Sequence, residues 1–265
     1  MNLILLLIAV FAVYVFIENK VLFTVRHEKL GSGVRIAHIS DIHKRRFGKG
    51  NSRICEKVRQ EKPDLIFVTG DLISRDETDL SQAEATLKGL TAIAPVYMIF
   101  GNHEQDLSDE LKAELIAVAE KHGVILLRND RAKVTVKDRR FTVYGLEESI
   151  DVYIVNNSYR NLKVLEKADI TELIGDRPDG EVLLLAHNPF FGEVYAEWGA
   201  DYTFSGHVHG GVVRLFGIAM LSPERKFFPK NAKGVYDFGG KKLLVSAGLG
   251  KLRLFDPPEV VIYEI

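Results

Sequence analysis

Ile36-Ala-His-Ile-Ser-Asp-Ile-His43 carries the pattern on which the reading of the chain rests. An apolar run of strand length, Val34 to Ser40, ends abruptly in Asp41 and His43. The figure recurs four times. Leu65-Ile-Phe-Val-Thr69 leads into Gly70 and Asp71, and Val96-Tyr-Met-Ile-Phe100 into Gly101, Asn102, His103 and Glu104. Val182-Leu-Leu-Leu-Ala186 leads into His187, Asn188 and Pro189, and Tyr202-Thr-Phe-Ser205 into Gly206, His207, Val208 and His209. Apolar runs this short read as strands covered on both faces.

Working outward, helical patterns fall between these runs. Asn51 to Glu61 is one. Leu80 to Ala92 is a second, stopped by Pro95. A third runs from an N-cap at Ser108 to about His122, with Gly123 as its stop. Val124 to Leu127 reads as a strand. Lys133 to Val136 and Phe141 to Tyr144 alternate around a hairpin turn at Lys137-Asp138-Arg139-Arg140. A polar stretch at 156–160 precedes a helix ending near Ile174. Val212 to Ile265 is strand-rich, with Gly and Pro turns. Strands alternating with helices, followed by a β-rich tail, predict a layered α/β fold in one domain covering 21–265.

In open α/β sheets ligands bind beyond the carboxyl ends of the strands. One face of this fold therefore gathers Asp41, His43, Asp71, Asn102, His103, His187, His207 and His209. The set holds five of the eight histidines in the chain. An Asp-x-His pair is a common accident, and a lone strand-end Asp is usually a turn residue. The ordered set at five strand ends points to a metal centre. Imidazole-rich ligation suits Mn, Fe, Zn or Ni and counts against calcium. Absence of a thiolate counts against a Cys-type zinc site. His38, inside a strand run, reads as a core residue; His27 and His122 receive no function. Lys44, Arg45, Arg46 and Lys49 follow the first pair and read as an anion-attracting rim, an exposed basic loop or a contact for anionic lipid.

The 265 residues suffice for one sizeable α/β domain. A formal net charge of −1 and no long basic stripe count against nucleic acid as a partner. The single Cys55 excludes an intramolecular disulfide framework. At the other extreme of polarity, Leu3 to Ile17 is uninterrupted apolar sequence, roughly 22 Å long as a helix. Asn2 before it and Val21, Leu22 and Phe23 after it extend it toward the thickness of a bilayer core if Lys20 snorkels. Residues 1–20 are read as an uncleaved membrane anchor, single-pass or peripheral. Lys20, Arg26, Lys29 and Arg35 follow the run and nothing basic precedes it, which puts the following domain in the cytoplasm. A signal peptide is the competing reading, lacking here a basic leader and an Ala-x-Ala site; a buried N-terminal helix is the third.

The set Asp41-x-His43, Gly70-Asp71, Gly101-Asn102-His103, His187 and Gly206-His207-x-His209 resembles the calcineurin-like metallophosphoesterase superfamily, with motifs complete and in order from about residue 35 onward. Gly248-Leu-Gly250, Arg253 and Pro257-Pro-Glu259 further resemble its bacterial membrane-associated branch. That branch includes phosphodiesterases and enzymes cleaving UDP-2,3-diacylglucosamine. Val208 and Val212 stand where the branch more often has Thr and Gln. The resemblance implies a four-layer sandwich of two mixed β-sheets flanked by helices. It implies two divalent cations, Mn, Fe or Zn: one on Asp41, His43 and His209, the other on Asn102, His187 and His207, with Asp71 bridging both. A metal-bridging hydroxide would attack phosphorus, and His103 would stabilise the transition state or protonate the leaving oxygen. Glu104 reads either as orienting His103 or as a solvated loop acid, and Asn188 as supporting His187. The expected activity is hydrolysis of a phosphodiester or pyrophosphate bond in a lipid- or nucleotide-linked or other small-molecule phosphoester. A phosphomonoesterase and a non-catalytic metal-binding scaffold are the alternatives.

Overall fold

The structure is a computed structural model describing residues 3–156, 158–223, 225–251 and 253–265. Residues 1 and 2 of the expected anchor, and Asn157 of the polar stretch, lie outside the described residues. Helix α1 (Leu3–Lys20) is followed by β1 (Thr24–Lys29), β2 (Arg35–Ile39), α2 (Ser52–Glu61), β3 (Leu65–Thr69), α3 (Ser81–Thr91) and β4 (Val96–Ile99). Then come α4 (Asn102–Gln105), α5 (Asp109–Lys121), β5 (Ile125–Leu126), β6 (Asp130–Val136), β7 (Arg139–Leu146) and α6 (Lys167–Ile174). The chain continues with β8 (Glu181–Ala186), α7 (Gly192–Trp198), β9 (Tyr202–Ser205), β10 (Val213–Leu215), β11 (Ile218–Leu221), β12 (Gly234–Phe238), β13 (Lys241–Val245) and β14 (Glu259–Glu264).

Two six-stranded mixed sheets form the middle layers, in the orders β1-β14-β2-β3-β4-β5 and β12-β13-β9-β8-β7-β6. β2, β3, β4 and β5 run parallel, as do β7, β8, β9 and β13. The alternation within each strand explains the layers. Ile36, Leu65, Phe67, Tyr97 and Ile99 face the other sheet, where they meet Val143, Leu183, Leu185 and Phe204. Phe67 and Phe204 join the sheets edge to face, with centroids 4.8 Å apart. The alternate residues Ala37, Ile39, Ile66, Val68 and Met98 pack against α2, α3 and α5 through Ile54, Val58, Leu87 and Leu115. On the far side Val182, Leu184 and Ala186 pack under α6 and α7 through Ile170, Tyr195 and Trp198. The result is the expected four-layer sandwich.

Local signals hold in several places. Ser108 accepts the Leu111 N–H and starts α5, and Lys137 and Asp138 both take positive φ in the tight β6–β7 turn. β1, α4 and α7 are additional to the expected elements. Helix α1 is long and apolar enough to cross a membrane. Of its residues only Glu18 is buried.

Candidate metal centre

The carboxyl ends of β2, β3, β4, β8 and β9 open onto one edge of the sandwich, and the expected residues meet there. Donor atoms of Asp41, His43 and His209 lie within 4.8 Å of one another, as do those of Asp71, His187 and His207. His43, Asp71 and His103 form a third such group. Asn102 shares a cavity of about 90 Å³ with Asp71, His103, His207 and His209. The His187 Nε2 lies 3.4 Å from Asp71 Oδ2 and 4.0 Å from Asp41 Oδ1. The Nε2 atoms of His43 and His209 are 3.1 Å apart.

Backbone geometry makes the convergence possible. Asp41, His43, Asp71, His207 and His209 all take left-handed φ, between 52° and 68°. Such conformations cost non-glycine residues about 1 kcal/mol or more each and concentrate where function over-determines them. The glycines before Asn102 and His207 leave room for carboxylates. A β-carbon at Gly101 would lie 2.3 Å from Asp71 Oδ1, and one at Gly206 would lie 2.4 Å from Asp41 Oδ2.

The fit to divalent cations follows from hydrogen-bonding accounts. His187 Nδ1 lies 2.6 Å from the Thr69 carbonyl, which only accepts, so this nitrogen donates. Its Nε2 is buried and has no hydrogen-bond partner, and neither has Asn102 Oδ1. Asp41 is fully buried and Asp71 nearly so. Their oxygens accept the His207 and His103 backbone N–H groups. Burial works to raise Asp41 and Asp71, but His209 for the first and His187 for the second hold them below the ordinary carboxylate range. Burial works against protonating His187, yet the Asp71 and Asp41 carboxylates push it up to about 10. This pocket therefore draws positive charge to Nε2. Burial lowers His43 to about 3 against the pull of Asp71, leaving a neutral imidazole, the form that binds metals.

His103 is held differently. Its Nδ1 accepts the Arg75 N–H at 3.1 Å, which leaves the proton of the neutral ring on Nε2, 3.9 Å from Asp71 Oδ2. Desolvation lowers this histidine, so the neutral form predominates near pH 7. The Glu104 carboxylate makes no hydrogen bond with it. Glu104 is buried and accepts the N–H groups of Gly101, Asp71 and Ile73, stapling the loop after β3 to that after β4. Desolvation and the Asp71 charge raise it to about 7. Asn188 departs likewise: its side-chain oxygen accepts the Phe190 N–H, while the Thr69 carbonyl orients His187.

Two further residues carry the site without having been anticipated. Glu148, fully buried, accepts the hydroxyls of Tyr153 and Tyr195. The Tyr153 ring then packs 4.9 Å from that of His207 and 5.9 Å from that of His187. Arg45 is no rim residue. It is buried, donating to the carbonyls of Gly250, Glu18 and Leu22. Lys44 is exposed and pairs with Asp76 at 2.7 Å. His38 lies in the core, its Nε2 2.7 Å from Thr69 Oγ1.

A two-sheet sandwich with imidazoles and carboxylates at adjoining strand ends defines a metallohydrolase class. Residues 34–211 match the calcineurin-like phosphoesterases, and the chain belongs to that family of metal-dependent phosphoric ester hydrolases. Among its relatives is phosphodiesterase YaeI of Escherichia coli, 26% identical over 240 residues, 87% of this chain and 82% of that one. Another is UDP-2,3-diacylglucosamine pyrophosphatase LpxG of Chlamydia muridarum, 24% identical over 284 residues, 87% of this chain and 83% of that one. In fold the chain is similar to the crystal structure of TT1561 of Thermus thermophilus, with TM-score 0.53 and 11% identity over 82% of this chain and 90% of that one.

Proposed function

We propose that the protein is a dinuclear metal-dependent phosphoesterase hydrolysing a phosphodiester or pyrophosphate bond. Asp41, His43 and His209 would hold one divalent cation and Asn102, His187 and His207 the other, with Asp71 shared between the two sets. The observation that carries this reading is the His187 Nε2, buried without a hydrogen bond 3.4 Å from Asp71 Oδ2 and 4.0 Å from Asp41 Oδ1. A lone pair in that position is stable only opposite a cation or a proton. Bound cations of the Mn, Fe or Zn kind would supply charge neutralisation at the phosphoryl oxygens and an activated water. The chain's own residues do the rest. Thr69 fixes the His187 tautomer, Tyr153 excludes water beside His187 and His207, and Glu104 holds the loop bearing Asp71. His103, with its proton on Nε2, donates to the leaving oxygen.

The diester or pyrophosphate preference takes its support from YaeI and LpxG, and a lipid- or nucleotide-linked substrate fits anchoring through α1. Lys20, Arg26, Lys29 and Arg35 on the domain side favour a cytoplasmic catalytic domain. The test is turnover of bis-p-nitrophenyl phosphate against p-nitrophenyl phosphate by detergent-purified full chain with Mn²⁺. Preference for the diester is expected. Asp71→Asn should lower the content of both cations by elemental analysis. Undiminished content refutes the bridging role, and turnover of neither ester makes the protein a metal-binding scaffold.

A further inference from the structure

Exposed aromatic residues collect on one rim of the metal centre. Phe216 is 101% exposed, Phe227 78%, Phe228 61% and Phe255 44%; Ile218 adds 56%. Phe216 and Ile218 stand at the β10–β11 turn, and Phe227 and Phe228 follow β11. Backbone pairing fuses these pieces. Leu221 bridges Phe227, and the Phe228 N–H donates to the Met220 carbonyl. Val213 bridges Leu254, whose carbonyl accepts the Arg214 N–H at 3.0 Å. Phe216, Phe228 and Phe255 all take left-handed φ, which bulky side chains rarely adopt. Apolar exposure on this scale in one place marks an interaction surface.

The position of Phe255 says what covers it. Its ring stacks on Tyr14 at 5.4 Å and lies 6.3 Å from that of Phe11. Phe11 is about 13 Å along α1 from Lys20, near the middle of the helix. If α1 crosses the bilayer from its domain end, Phe255 lies below the headgroups. The docking is firm: the Phe255 N–H donates to Glu18, and Asn19 both accepts from and donates to the Arg253 backbone. Charge agrees with a lipid surface. The segment 212–230 carries Arg214, Arg225, Lys226 and Lys230 against one acid, Glu224. Basic residues interleaved with aromatics are the composition of interfacial segments.

The same loops hold the metal centre. Pro223 lines its cavity beside His207 and His209. The buried Arg253 donates to the carbonyls of His209 and Gly250, and Arg45 links Gly250 to Glu18 and Leu22. We propose that the β10–β11 hairpin, the loop 225–230 and Phe255 form a second membrane contact, which together with α1 seats the mouth of the metal centre at the surface of an anionic bilayer. This rests on the anchor reading of α1 given above and adds to it a surface of the catalytic domain itself.

The test uses the full chain in vesicles of phosphatidylcholine and phosphatidylglycerol, a portion of them with brominated acyl chains. Phe227→Trp is the reporter, because the native Trp198 is buried. Emission of the new tryptophan should be blue-shifted and at least about twofold quenched by brominated lipid, with the parent protein unaffected. Flotation with the vesicles is scored separately. A chain that does not float overturns the anchor reading and this proposal together. A chain that floats while the introduced tryptophan stays unquenched and red-emitting overturns this proposal alone. So does a dimer in the vesicles that Phe227→Ser with Phe228→Ser converts to a single copy, since the patch is then a self-association surface. Turnover of bis-p-nitrophenyl phosphate on the same sample reports on the phosphoesterase reading independently.

Discussion

Gly206→Ala should remove a cation from the centre without unfolding the protein. A methyl group at position 206 would lie 1.9 Å from Ser40 Oγ and 2.4 Å from Asp41 Oδ2. Ordinary contact begins at 3.4 Å, so the Asp41 carboxylate would have to retreat by about 1 Å. Metal–ligand distances tolerate only about 0.2 Å. Retreat also weakens the 3.1 Å hydrogen bonds from the His207 N–H to both Asp41 oxygens, carrying the disturbance into the second candidate ligand set. Losses of about 10–100-fold in affinity attend displacement of groups that support a ligand. A ligand itself is moved here, so the expected loss is at least about 100-fold for the cation on Asp41, His43 and His209. Overpacking costs a further ~1–3 kcal/mol of stability. Calorimetric titration with Mn²⁺, elemental analysis and thermal unfolding read these effects together. Adding Ser40→Gly relieves the Oγ contact but not that with Asp41, so the double variant should regain stability and remain metal-poor. A folded Gly206→Ala protein that binds two Mn²⁺ with parental affinity would show that Asp41 is not a ligand.

His103→Ala should retain both cations while turnover falls by roughly 10²–10⁴; a metal-depleted variant would make His103 a ligand instead. Metal affinity should rise with pH. His187, pushed up to about 10, carries a proton in the metal-free protein at neutral pH, and a cation must displace it. Affinity for Mn²⁺ therefore increases about tenfold per unit between about pH 6 and pH 8, with proton release visible in buffers of differing ionisation enthalpy. A flat profile would remove His187 from the ligand set. Glu104→Ala strands three buried N–H donors, for a loss of about 3 kcal/mol or more in denaturant unfolding. An unchanged midpoint would mean that the two loops hold their geometry without it.

The strands and their terminal ligands were legible because both are statements about contrast along the chain. A run buried on both faces is dominated by apolar side chains, as Leu65–Val68 is, and an Asp or His that ends such a run abruptly has few structural excuses. Helix α7 escaped for the opposite reason. It is seven residues long, begins at Gly192 and follows directly on the Pro189–Phe191 turn, too short for a helical period to declare itself. Glu148 escaped, and Glu104 and Arg45 were seen but given other roles, on different grounds. By residue type each belongs on the surface, yet each is buried because distant polar groups need it. Glu104 meets N–H groups about 30 residues away, Glu148 the hydroxyl of Tyr195, and Arg45 the carbonyls of Glu18 and Gly250. Pairing of this kind is fixed only when the sheets bring their loops together. It leaves no local period or motif, although a buried donor or acceptor would not survive without it. Hence the residues that present chemistry to the cavity were visible in one dimension, whereas those that hold them in place became visible only in three.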